Sequence, residues 1–115
     1  MPTPPTPEDL YDQAVDCVAD GDLKAAIEKY RSAIAINPDY ADAFEGLSMA
    51  LADTEQWDEA IAAARRVVDL NPDDQLPYTN LSRIYQRSGN VPEAEAWAAK
   101  GRMIDWKRQL KEGKP

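Results

Sequence analysis

Asn37-Pro38-Asp39 returns as Asn71-Pro72-Asp73, thirty-four residues further on, and the residues around the two copies return with it. A fixed period of this length constrains a chain more than any single motif, because every unit must pack beside a copy of itself. The columns of the repeat make physical sense. Ala26, Ala60 and Ala94 keep one place small, so that two helices can approach closely there. Leu10, Phe44 and Tyr78 keep another place large, and Ile36, Leu70 and Ile104 hold a helix end apolar. Three in-phase copies predict a stack of three like units.

Within each unit the apolar spacing is helical. Thr6-Pro7-Glu8-Asp9 reads as a helix start: a hydroxyl to cap the first turn, a proline where no N–H is missed, and acids at the positive helix end. Leu10, Ala14, Cys17 and Val18 follow on one face, and Gly21-Asp22 breaks the pattern. A second helix through Ala26, Ile27, Tyr30, Ala33 and Ile34 ends by Ile36, since Pro38 disfavours helical geometry at Asn37. The second unit opens at Asp39 or Tyr40 and breaks around Glu55-Gln56. The third opens near Asp74 and breaks at Ser88-Gly89-Asn90, where Asn90 and Glu93 are spaced for a capping box. The prediction is six helices in three antiparallel pairs.

This pattern resembles the tetratricopeptide repeat, whose unit is two antiparallel helices in thirty-four residues. The resemblance covers residues 7–106 and rests on Gly21-Asp22 and Gly89-Asn90 at the turns, the alanine column, and Asn-Pro-Asp at the junctions. It departs at Glu55, which replaces a turn glycine. It departs again at Ala64 and Ala98, where the first copy has Tyr30, and at Trp106, which replaces a junction proline. The resemblance implies an all-α, right-handed α-solenoid of three repeats (7–40, 41–74 and 75–108). A disordered proline-rich leader over 1–6 precedes them. Without a proline at 106 the last helix continues to about 112, and 113–115 form a tail.

In this family the first helix of each pair lines a concave groove that binds a segment of another protein. Carried over by column, the groove shows Tyr11, Asp12, Val15 and Val18, then Asp42, Glu45, Met49 and Asp53, then Thr79, Asn80, Arg83, Gln86 and Arg87. It is acidic and apolar at one end and basic at the other. Arg83 and Arg87, four apart on one helix face, are spaced to fork around a carboxylate. One subclass grips the acidic tail of chaperones with lysine, asparagine and arginine. The matching places here are Tyr11, Val15, Gly46, Leu76 and Asn80, which do not supply that clamp.

Composition argues for binding and against catalysis. The 115 residues contain no histidine, which removes the commonest general base and metal ligand. Cys17 lies in an apolar column with Leu51 and Tyr85 and reads as a packing residue, and a lone cysteine fits a reducing compartment. No phosphate-cradling glycine loop and no oxygen-rich calcium loop appears, so neither cofactor nor metal is expected. The net charge of −8 argues against nucleic acid, and no apolar run is long enough to cross a membrane. A cytoplasmic setting follows from these features and from a first segment with neither a basic start nor an apolar stretch.

That charge is uneven. Residues 1–99 carry 7 basic and 19 acidic side chains, whereas 100–115 carry 6 basic and 2 acidic. The last helix also holds Trp97, Met103, Trp106 and Leu110, many large apolar residues for the exposed end of a solenoid. Two outcomes compete. Trp106 and Leu110 fold back over the third repeat and leave a monomer, the favoured expectation, or these residues form a self-association surface for a homodimer. The function expected is a non-enzymatic adaptor that binds another protein or peptide. A self-assembling structural unit is the alternative.

Overall fold

The computed structural model describes residues 3–113, and all its regular structure is helical. α1 (Pro7–Ala19), α2 (Leu23–Ile36), α3 (Ala41–Asp53), α4 (Trp57–Leu70), α5 (Gln75–Arg87) and α6 (Val91–Lys111) follow in order. Each helix packs chiefly on its neighbours in sequence, and α1 also reaches α3. The result is an elongated α-solenoid of three helix pairs, 57 × 33 × 21 Å.

The pairs are made by one repeated turn. Gly21 (φ 80°), Glu55 (φ 59°) and Gly89 (φ 92°) each sit in the left-handed region just past a helix end. In each turn the next residue's N–H reaches back to a carbonyl five residues earlier: Asp22 to Cys17 at 2.9 Å, Gln56 to Leu51 at 2.8 Å, Asn90 to Tyr85 at 2.9 Å. This is a Schellman motif, which satisfies carbonyls that a helix end leaves without partners. The sequence departure at Glu55 therefore keeps the glycine geometry without the glycine.

The same bond explains a difference at the start of α6. The side chain of Asn90 accepts from the Glu93 N–H at 3.4 Å, but Glu93 makes no return bond. The Asn90 N–H is already held by Tyr85, so the expected capping box is only half formed. At α1 the backbone before the helix is extended (Thr6 φ −81°, ψ 163°) and its N–H is available. There the full box forms with Asp9, both bonds at 3.1 Å. Residues 1 and 2 of the expected leader, and 114 and 115 of the expected tail, lie outside the described residues.

The core follows the columns. Ala26, Ala60 and Ala94 are buried where paired helices cross, with Leu10, Leu47, Leu51, Leu81 and Tyr78 filling the space around them. Cys17 is half-buried and packs on this core rather than lying inside it. Ile36 is exposed, so the apolar column at the helix ends is covered only at Leu70 and Ile104. No buried side-chain polar atom among the described residues lacks a partner, as a tightly packed interior requires.

The last helix does not close over the core. Gly101 lies against Tyr78 and Gln75, the first residue of α5, so the ten residues after it run beyond the level at which α5 begins. Trp106 and Leu110 are each 56% exposed, and Met103 is 50% exposed. The favoured expectation of closure is overturned. α6 continues as a single α-helix to Lys111 and does not turn back. Trp97, in contrast, is drawn into the third pair. Its ring lies 6.1 Å from that of Tyr78, with Lys100 Nζ 4.0 Å from its centroid. The exposed apolar stripe is therefore Met103, Trp106 and Leu110.

Candidate functional site

α1, α3 and α5 are the first helices of their pairs and share one face of the solenoid. Tyr11, Val15, Asp42, Glu45 and Met49 line a single cleft of about 240 Å³ on this face. A second hollow of about 70 Å³ adjoins it, sharing Met49 and Asp53 and adding Asn80, Arg83 and Arg87. The expected groove residues are thus brought together in two connected parts. Asp12, Thr79 and Gln86 line neither: Asp12 and Gln86 are exposed outside the hollows, and the Thr79 hydroxyl donates back to the Gln75 carbonyl.

The first cleft is apolar in its walls and acidic at its rim. Val15 is 43% and Met49 57% exposed, high values for apolar side chains flanking a hollow. α1 carries Glu8, Asp9, Asp12 and Asp16, α3 carries Asp42, Glu45 and Asp53, and neither helix contains a cation. Burial raises the Tyr11 hydroxyl above its ordinary value of 10.0, and the negative charges of Asp42, Glu45 and Asp12 add to the shift. The Tyr11 ring packs between Tyr30 and Tyr40, with centroids 5.9 and 5.5 Å away.

Tyr30 comes from α2 and supplies part of the floor, which column reasoning from the first helices alone misses. It crosses beneath α3 only because residue 46 is glycine: a Cβ there would stand 2.6 Å from the Tyr30 hydroxyl oxygen. The available signal is the departure at this column, where Ala64 and Ala98 replace Tyr30. One unit on, Ala64 leaves room for Asn80 where Gly46 stood.

At the basic end the charges are partly spent within the chain. Arg87 pairs with Asp53 at 3.1 Å and lies over the Trp57 ring, 5.7 Å from its centroid. Asn80 donates to Glu45 at 2.7 Å. Arg87 is therefore held by its own neighbour, and the guanidinium left open to a ligand on this face is that of Arg83. No cluster of three or more metal-ligating side chains occurs among the described residues. No described helix is long and apolar enough to cross a membrane.

Comparison with known proteins gives a consistent picture. A tetratricopeptide repeat family model matches residues 18–77 and again 51–108. Among solved structures, a crystal structure of MamA superposes with a TM-score of 0.84 at 25% identity, over 91% of this chain and 61% of that one. A CopN-Scc3 complex gives 0.80 at 22% identity, over 93% and 65%. The second tetratricopeptide domain of Spaghetti (RPAP3), bound to the HSP90 peptide SRMEEVD, gives 0.77 at 17%, over 86% and 92%. The chain spans about three-fifths of the length of the MamA structure it matches.

Proposed function

The chain belongs to the tetratricopeptide repeat family, and from that premise we propose that it is a non-enzymatic interaction module holding a segment of a partner protein along α1, α3 and α5. The observation that carries this reading is the cleft in which exposed Val15 and Met49 stand beside carboxylates that have no cation on their own helices. Apolar side chains left beside a shaped hollow mark recognition surfaces. Two structures of the same fold are the CopN-Scc3 complex and the RPAP3 domain bound to an HSP90 peptide.

The charge distribution selects the class of segment. The peptide in the RPAP3 complex is acidic at SRMEEVD. Seven carboxylates on α1 and α3 would repel such a sequence, and the places of the chaperone clamp hold Tyr11, Val15, Gly46, Leu76 and Asn80. A basic segment with apolar anchors fits this groove, with an acidic group at its other end free to meet Arg83.

The test is a photo-crosslinking amino acid placed at Met49, with the same group at exposed Asp69 on the opposite helix layer as control. Partner peptides captured from Met49 and not from Asp69 support the groove. Capture from both positions alike, or from Asp69 alone, removes it.

A further inference from the structure

The groove calls for a cationic helix with apolar anchors, and the chain carries one at its far end. We propose that the projecting part of α6 docks into the α1–α3 groove of a second copy, joining copies head to tail. This rests on the groove reading above and names its occupant.

Three features of α6 make the match. Met103, Trp106 and Leu110, on the stretch after Gly101, are already exposed, so they are available without unfolding anything. Met103, Trp106 and Leu110 are spaced three and four apart and form one stripe about 10 Å long. Tryptophan is enriched among interface anchors, and the cleft of about 240 Å³ between Val15 and Met49 is scaled to a large side chain rather than to a whole small-molecule ligand. Arg102, Lys107 and Lys111 flank the stripe, all exposed, with no ion pair of their own. Opposite them, Asp12, Asp16 and Asp42 on the receiving helices also make no ion pair.

Charge also selects between the arrangements open to this stripe. Two α6 helices laid together would set the cations Arg102, Lys107 and Lys111 of one copy against the cations of the other, whereas α6 on α1 and α3 sets cations against carboxylates. Docking within one molecule is excluded by the geometry, since α6 is one continuous helix at the opposite end of a 57 Å solenoid from α1. Each copy then offers one tail and one groove. Such an interface is heterologous, so association does not stop at two unless the rotation closes a ring.

Light scattering across a concentration series tests this with the full chain. Trp106→Glu with Leu110→Glu disables the tail, and Val15→Lys with Met49→Lys disables the groove. All four positions are exposed, and circular dichroism verifies that both variants stay helical. The native chain should show a mass that rises past that of a dimer with concentration, and high salt should lower it. Each variant alone should be weakened about thirtyfold or more. An equimolar mixture should regain one intact tail and one intact groove, and stop at a pair. A native chain that stays monomeric overturns the proposal, as does a mixture that fails to pair. A groove variant that still associates shows α6 pairing with itself, and also overturns it. Crosslinking at Met49 separates the two readings. A monomeric chain that captures a different protein there loses self-docking and keeps the groove; one that captures nothing loses both.

Discussion

Replacing Gly46 with alanine places a methyl group against the Tyr30 ring. In an exposed helix this change would help by about 1 kcal/mol, because glycine is a poor helix former. Here a Cβ would come within 2.6 Å of the Tyr30 hydroxyl oxygen, and ring carbons lie no further away. Tyr30 is 4% exposed and packed against Tyr11, so its ring has little room to swing aside. Overpacking of this kind costs about 1–3 kcal/mol. The net effect of Gly46→Ala is then a loss of up to about 2 kcal/mol, the clash outweighing the helix gain. Tyr30→Leu removes the ring atoms that the new methyl meets while keeping an apolar side chain in the core. In that background Gly46→Ala should gain about 1 kcal/mol, since only the propensity term remains. The expected coupling is about 1–3 kcal/mol, measured by urea unfolding of the four proteins. If Gly46→Ala has the same effect in both backgrounds to within about 0.5 kcal/mol, the contact does not carry the energy assigned to it.

Two further consequences are open to measurement. Glu55→Gly should raise stability by about 1 kcal/mol in thermal or urea unfolding, because it removes the strain of a side-chain-bearing residue at φ 59°; a loss of stability would mean that the Glu55 side chain contributes a contact outweighing the strain. Tyr11, Tyr30 and Tyr40 all have hydroxyls raised above 10.0, in each case first by burial. Their neutral forms are favoured in the fold, so this contribution is complete below pH 10, where the unfolded tyrosines titrate, and is lost as the pH rises through the folded values. Alkaline titration followed by phenolate absorbance should show a late-titrating set that moves down to the ordinary value in denaturant. A single titration at the ordinary value in the native protein would remove the effect.

The helix order was legible because glycine, proline and asparagine punctuate the chain at Gly21, Asn37-Pro38, Asn71-Pro72 and Gly89. The turn at Glu55 was found only by its place in the period, since its residue type argues against that conformation. The groove face was legible from columns, and even the Arg87–Asp53 pair is readable in retrospect, because those residues stand one period apart on adjacent first helices. The Tyr30–Gly46 contact was not, because column reasoning treats units as equivalent while this contact depends on how one unit differs from the next. The exposure of Trp106 is not legible in the sequence for another reason. Whether an end residue is covered depends on what lies beyond the last pair, and periodicity is silent there.

The three left-handed turns also divide the molecule mechanically. Within each pair, the bond from Asp22, Gln56 or Asn90 ties the start of one helix to the end of the last, making each hairpin a stiff strut. Between pairs, at 37–40 and 71–74, the chain is joined by single three-residue backbone bonds, Tyr40 to Asn37 and Asp74 to Asn71, at 3.1 and 3.2 Å. Bending is therefore concentrated at two joints. Each lies between one pair and the next, so the spacing of α1, α3 and α5 along the groove is set at these two joints rather than inside the struts.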